Sequence, residues 1–228
     1  MTSYPHVLTE HETLARVAAG ASLSRFGDGE LRQAAHAVNI KPQTADRALT
    51  ARLRAILQDS GDCLVGIPNI HVKGPKDQHW QTYKWSAEML SDRVYGSAFI
   101  SRPDSAPWIN NDFYWDLMWS LWLGRDVTLV RGAQKSLTKE WLMAQGAGTV
   151  HEILCKPQNA WADYDDIMRE IGTPERVLLC LGPTATVMAV DLCAKGVHAI
   201  DLGHVGMFAK KRVRGEPMVR TEADKVSQ

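Results

Sequence analysis

Two carboxylates separated by a single residue stand in the stretch Arg25-Phe26-Gly27-Asp28-Gly29-Glu30. Gly27 and Gly29 permit a tight turn and close approach of the backbone to a ligand. Carboxylate oxygens at the spacing of Asp28 and Glu30 suit Mg2+ or Mn2+, ions that commonly join protein carboxylates to substrate phosphates. Arg25 offers a planar fork of donors that matches a phosphate. A plainer reading accounts for the same pattern: Asp28 as a helix N-cap and Glu30 as a favourable first-turn acid.

A second stretch, Leu181-Gly182-Pro183-Thr184-Ala185-Thr186, joins the apolar run VLLCL to the helical pattern ATVMAVDLCAKG. Gly182, Thr184, Ala185 and Thr186 would supply free N–H groups and hydroxyls at a helix N-terminus, with Pro183 near the first helical position, where phosphate binds well. An ordinary capped strand-to-helix junction is the alternative. No lysine follows in the P-loop pattern and no GxGxxG is present, so P-loop hydrolysis and a standard NAD site are disfavoured. The third stretch is Asp201-Leu202-Gly203-His204. Asp201 and His204 could form an acid–base pair, or His204 could contact a diphosphate. A structural histidine at the sheet edge competes with that reading.

Other chemistry-bearing residues carry less. There is no GxSxG serine elbow, and Cys180 has no base beside it in sequence. His71, His79 and His151 lack metal-ligand spacing. Asp163, Asp165 and Asp166 suit the first turn of a helix without any site.

These stretches need elements to position them. Strands are predicted over 22–26, 63–67, 97–101, 127–131, 149–154, 177–181 and 197–201. Helical patterns lie between them, over about 29–37, 43–58, 80–94, 112–123, 135–145, 161–171 and 184–195. Alternating strands and helices predict an α/β, Rossmann-like, mainly parallel sheet with helices on both faces. The runs VLLCL and CLVGI suit strands buried on both sides. In such sheets ligands bind beyond the carboxyl ends of the strands, where all three stretches fall. The reading is one domain over 1–208 and a basic tail over 209–228. Up to residue 220 that tail sets Lys210, Lys211, Arg212, Arg214 and Arg220 against Glu216 alone, as a solvated or loosely docked extension.

Composition narrows the function classes. Across 228 residues, 26 Lys and Arg balance 26 Asp and Glu, a net charge of zero that argues against a nucleic-acid partner. No apolar run is long enough for a membrane-spanning helix, and the polar N-terminus does not read as a signal peptide. Cys63, Cys155, Cys180 and Cys193 show no CxxC pairing and read as buried free thiols, so the expected location is cytoplasmic. The basic tail is a candidate for peripheral contact with anionic lipid or phosphate, and a homodimer is the default assembly.

Taken together and in this order, the stretches resemble the bacterial GT-D glycosyltransferases, a Rossmann-like family marked by an Asp-X-Glu motif. The matching segments are RFGDGE (Arg25–Glu30), SAFISRP (Ser97–Pro103), KPQNAWADYDDI (Lys156–Ile167) and LGPTATVMAVDLCAKGVHAIDLGH (Leu181–His204). The resemblance implies transfer of a hexose, typically glucose, from a UDP-sugar to a glycan, lipid-linked or glycoprotein acceptor. It implies that Asp28 and Glu30 serve the nucleotide and a divalent cation, Mn2+ or Mg2+. Pro157 and Asn159 match a family pattern expected to face the nucleotide, and the Gly182–Thr186 turn would hold diphosphate. Arg25 and Arg102 are then candidates for phosphate contact. His204 is the first choice for the base that activates the acceptor, and Asp201 the second. The chain departs from the family at Arg131, where an acid is usual, and over VGMFAKKRVRG, which is basic where acids are usual. Those departures keep two alternatives open: a silent nucleotide-sugar binding module and a nucleotide-processing hydrolase.

All eight tryptophans fall between Trp80 and Trp161. Trp115, Trp119 and Trp122 share a helical face with Met118 and read as a packed stripe or a dimer contact. Trp141 reads as core, and Trp161 as a lining of the nucleotide pocket. Trp80, Trp85 and Trp108 are candidates for stacking on an acceptor sugar, in a region spanning residues 71–122.

Overall fold

The computed structural model describes residues 3–71, 76–132 and 136–220. The first half runs α1 (Glu10–Ala18), β1 (Leu23–Arg25), α2 (Asp28–His36), α3 (Arg47–Gln58), β2 (Leu64–Ile67), α4 (Asp77–Gln81), β3 (Gly96–Ser97) and α5 (Asp112–Trp119). The second half runs β4 (Val127–Arg131), α6 (Lys139–Ala144), β5 (Val150–Leu154), α7 (Tyr164–Ile171), β6 (Arg176–Cys180), α8 (Pro183–Cys193), β7 (His198–Asp201) and α9 (Val205–Arg214).

The strands form one seven-stranded sheet in the order β3-β2-β1-β7-β6-β4-β5, and every pairing is parallel. Alternate residues of a strand face opposite sides. Along β6, Leu178 and Cys180 enter one hydrophobic cluster while Val177 and Leu179 enter the other. Both faces are therefore covered, which is why these strands read as unbroken apolar runs. The chain leaves β1 toward β2 on one side, whereas β6 and β7 fill the other side. This reversal of direction opens a crevice at the carboxyl ends of β1, β7 and β6.

Several elements differ from the sequence expectation, each for a local reason. The expected strand over 97–101 stops after Ser97 and becomes a 3-10 turn, Ala98–Ser101. The Ser97 hydroxyl accepts the Phe99 N–H at 3.1 Å and ends the ladder there. The expected helix over 80–94 is the short α4 followed by a 3-10 helix, Thr82–Met89. Thr82 and Ser86 each donate a hydroxyl bond to the carbonyl three residues back, which favours the tighter winding. The helix expected from 43 starts at Arg47, because Asp46 caps the Leu49 N–H at 2.8 Å and Ile40 bridges Gln43 instead. The helix expected from 135 starts at Lys139 behind a Thr138 cap, and its first residue lies outside the described residues.

Two helices lie beyond the sequence expectation. α1 is announced by a capping box, Thr9 with Glu12, of the S/T-x-x-E type. α9 occupies the start of the expected tail and corrects it: Val205, Met207, Phe208, Ala209 and Lys211 are buried. Lys210 Nζ donates to the Ser136 carbonyl at 2.9 Å. The basic residues between 210 and 214 hid an amphipathic helix. Residues 221–228 lie outside the described residues.

The four cysteines are free, but only Cys63 and Cys180 are buried; Cys155 and Cys193 are half-buried. Cys63 Sγ donates to the Leu64 carbonyl at 3.7 Å. The tryptophan stripe is core: Trp115, Met118 and Trp122 are buried, with Trp119 packed between the two rings at 5.1 Å from each.

Candidate active site

A cleft of about 490 Å3 opens at the carboxyl ends of the central strands. Its floor is Arg25, at the end of β1. The Arg25 side chain is buried, with Nε 4.0 Å from Asp201 Oδ1 and no hydrogen-bond partner on Nε. Next to it, Gly27, Asp28, Gly29 and Glu30 form one wall. Both readings of this stretch hold at once. Asp28 and Glu30 occupy the first turn of α2, and Glu30 Oε2 accepts the Gly27 N–H at 2.9 Å. Both carboxylates also face the cleft. Burial pushes Glu30 above the ordinary carboxylate value, against the pull of the Arg25 guanidinium.

From β6, Cys180, Leu181 and Gly182 line the cleft. Gly182 adopts a left-handed φ of +57° just before α8. Pro183, Thr184, Ala185 and Thr186, expected at the nucleotide, are buried and do not line it. Their work is internal. The Thr186 hydroxyl donates to the Arg25 carbonyl at 3.1 Å, and Ser24 donates to the Thr186 carbonyl at 2.8 Å. These bonds tie α8 to β1.

From β7, Gly203 and His204 reach the cleft. Asp201 does not, which separates the expected acid–base pair. Its carboxylate is buried, accepting the Gly203 N–H at 3.0 Å, and burial pushes it up to about 7. Arg25 pulls it down and Glu30 pushes it up, so Asp201 acts on the cleft through Arg25.

Pro157 lines the cleft, but Asn159 does not. Asn159 sits in the left-handed region at φ +55°, and its Oδ1 accepts the Thr44 N–H at 2.8 Å and the Thr44 hydroxyl at 3.0 Å. Its own N–H donates to the Pro42 carbonyl at 2.8 Å. Asn159 therefore pins the 39–44 loop, which no sequence motif marked, so that Asn39, Ile40, Lys41 and Pro42 form the opposite wall. Trp161 is also displaced from its expected role: it packs on Tyr164, with ring centroids 4.7 Å apart, and does not line the cleft.

The three tryptophans expected to stack on an acceptor sugar lie apart from this cleft. Trp80 is buried against Phe99 and Tyr83. Trp85 packs at a tilt on His36 at the far end of α2, and Trp108 donates to Glu10 at 3.0 Å. None of the three lines the cleft. Arg102 does line it, held bidentately by Asp104 at 2.7 and 3.0 Å. Arg131 points elsewhere: its Nε donates to Glu152 Oε1 at 2.8 Å, across from β4 to β5. Glu152 also accepts the Lys139 N–H at 2.9 Å, so this departure from the family is a structural pair, not a change in the cleft. The loop residues 133–135 that follow lie outside the described residues.

Two carboxylates thus face five cations, Arg25, Arg32, Lys41, Arg102 and Arg220, around one crevice. Sequence reasoning placed Arg25 and Arg102 at the cleft, read Arg220 only as part of a basic tail, and did not mark Arg32 or Lys41. For Arg32 a signal exists, since it stands four residues after Asp28 and so shares its face of α2.

Comparisons with known proteins agree with this architecture. The model of the glycosyltransferase GT-D fold matches residues 23–209. Among curated proteins, glycosyltransferase GlyD of Streptococcus pneumoniae serotype 4 is 30% identical over 203 residues, covering 81% of this chain and 25% of that protein. A probable glycosyl transferase Gly of Streptococcus gordonii is 30% identical over 82% of this chain and 30% of its own length. The chain spans about a quarter to a third of these relatives. A solved structure of the domain of unknown function 1792, described as having a distinct glycosyltransferase fold, superposes with TM-score 0.83 and 30% identity, covering 97% of this chain and 86% of that one. A glycosyltransferase of the same domain from Streptococcus sanguinis gives TM-score 0.76 and 28% identity, covering 92% of this chain and 85% of that one.

Proposed function

We propose a donor and a set of residue roles for this chain, which belongs to the GT-D glycosyltransferase family. The reading is transfer of a hexose, glucose in the first instance, from a UDP-sugar to a glycan, lipid-linked or glycoprotein acceptor. The observation that supports it is the crevice itself: two carboxylates among five cations, at the strand ends where an α/β sheet binds nucleotides.

Asp28 and Glu30 would hold a divalent cation. Among the described residues no three His, Cys, Asp or Glu side chains gather into a cage. Two carboxylates fit Mn2+ or Mg2+ that completes its shell with substrate phosphate and water, and do not fit a protein-enclosed ion. When bound, such an ion neutralises charge on the leaving diphosphate. The protein's own groups do the rest. Arg25, fixed from below by Asp201, presents a cation to the diphosphate. The α8 N-terminus at Gly182 adds backbone donors and a favourable dipole. The wall pinned by Asn159 closes over the nucleotide from the side opposite Asp28. His204, at the start of α9, accepts the proton of the acceptor hydroxyl in an inverting transfer.

Incubating the protein with UDP- and GDP-sugars and Mn2+ tests the reading. Slow release of nucleotide and free sugar is expected, as a transferase passing sugar to water. Binding without release would replace it with a sensor, and phosphate release with a hydrolase. In the same assay His204→Asn should lower kcat by about 10²–10⁴-fold, the range for a lost general base. A loss below about tenfold removes His204 from that role.

A further inference from the structure

We propose that Arg102 and Arg220, gathered on the buried Asp104, form a receptor for a phosphoryl oxyanion of the substrate at the β3 end of the cleft. It rests on the reaction proposed above, and it adds a residue from outside the family match, which ends at residue 209.

The charge at this end of the cleft is unbalanced. Asp104 is buried, and three cations converge on it. Arg102 binds it through Nε and Nη2, Lys76 bonds Oδ2, and Arg220 Nε lies 3.6 Å from the same oxygen. Burial alone would raise the Asp104 pKa, yet the Arg102 and Lys76 bonds outweigh it and hold the carboxyl down at about 2. Asp104 is thus shared among three cations, with Asp28 the further acid that acts on Arg220, so positive charge is in excess here. Crowding like charges in a half-buried site is unfavourable by Coulomb repulsion. Burial and then Arg102 lower the Arg220 pKa, against the opposing pull of Asp104 and Asp28. An incoming dianion would relieve that excess.

The geometry places the excess where substrate passes. Arg102 and Arg220 both line the cleft. The bidentate bond to Asp104 engages Nε and Nη2 of Arg102 and leaves Nη1 outside it. Arg220 is delivered by a segment that turns back after α9 and is held in three ways. The Glu216 N–H donates to the Lys211 carbonyl at 2.9 Å, Lys211 Nζ donates to the Val219 carbonyl at 2.9 Å, and Met218 packs on the core. In the sheet, Arg102 follows edge strand β3, whereas Pro157 and Gln158 follow the opposite edge strand β5. The pair therefore stands beyond Asp28 on the side away from the nucleotide wall. Two guanidinium forks on one side of an oxyanion are the arrangement that phosphate recognition uses. The oxyanion would be the donor diphosphate or a phosphate on the acceptor.

Calorimetry on the full chain separates these cases. Pyrophosphate, titrated with EDTA so that no cation bridges it to Asp28 and Glu30, should bind the wild type and bind Arg220→Ala at least about tenfold more weakly, as expected for a lost charged hydrogen bond. Arg220→Lys, which keeps the charge without the fork, should fall between them. If the donor diphosphate is the ligand, KM for the UDP-sugar rises about tenfold in Arg220→Ala while kcat holds, on the same scale. If an acceptor phosphate is the ligand, UDP binding is unchanged and binding of farnesyl diphosphate, the acceptor probe, weakens instead. Equal pyrophosphate binding by wild type and Arg220→Ala, or none by either, overturns the proposal. Arg220-dependent pyrophosphate binding without turnover of any UDP-sugar supports the anion site and overturns the donor reading instead.

Discussion

Asp28→Asn and Glu30→Gln should each cut UDP-sugar turnover in Mn2+ by about 10²–10³-fold, the scale on which a single charge-stabilising group at a reacting centre acts. The two changes are nearly isosteric, so the loss should not come from unfolding. Asp28 is half-exposed at the first turn of α2, and its substitution should alter stability by no more than about 0.5 kcal/mol. Glu30 is more demanding, because its Oε2 accepts the Gly27 N–H that shapes the turn. Glutamine keeps an acceptor oxygen there, so the turn survives while the charge goes. Burial disfavours the charged form of Glu30, so the neutral amide sheds that desolvation cost while losing the attraction of Arg25. The two effects are therefore separable: a melting temperature near that of the wild type with a collapsed rate is the expected pair of results. Near-native rates in both variants at saturating Mn2+ would remove the carboxylates from the chemistry and leave Glu30 as a cap alone.

Why these residues were legible and others were not follows from range. The β1 turn, the β6 turn and the β7 end each carry their chemistry within a few consecutive residues, so composition and spacing exposed them. The buried strands were legible because a sheet covered on both faces demands continuous apolar runs, and β4 matched its expected bounds, Val127–Arg131. What local pattern misses is purpose across distance. Asn159 looked like a ligand because it sits in a family motif, yet its partner is Thr44, 115 positions away. Trp80 looked like a platform for a sugar because indoles stack well, yet it is spent on packing against Phe99. Arg131 looked like a change in specificity, yet Glu152 on the next strand consumes it. Arg220 looked like a member of a solvated tail, and only the return of the chain after α9 brings it to Asp104. The helix α9 was masked by the same basic residues, since its apolar face is carried by Val205, Phe208 and Ala209 ahead of them.

Gly203→Ala should disable the cleft from a position that carries no functional group. Gly203 follows β7 with φ at +47°, where a side chain is strained by roughly 1–2 kcal/mol. A second effect is specific to this position. The added methyl would lie 2.9 Å from Arg25 Cζ and inside the contact radius of Arg25 Nη2. Arg25 has little freedom to yield. It is buried, with Asp201 within 4.0 Å on one side and Glu30 acting on it from the cleft wall. Displacing its guanidinium would separate the Asp201 and Glu30 carboxylates from the cation that lies between them. The expected result is a stability loss of about 2–4 kcal/mol, the left-handed strain and an overpacking penalty together. UDP-sugar turnover should fall by about 10²-fold, as a displacement near 1 Å at a reacting centre can cause. Gly172→Ala isolates the first effect. Gly172 also has a left-handed φ, +64°, but nothing lies within 4 Å of an added methyl. That variant should lose about 1–2 kcal/mol and keep its rate. Comparing the two by thermal melting and by UDP-sugar turnover separates strain from the position of Arg25. If both variants melt alike and turn over alike, Arg25 tolerates the methyl and is not the cation that the cleft depends on. A larger loss confined to Gly203→Ala means the absence of a side chain at the end of β7 is what allows the arginine at the end of β1 to face the substrate.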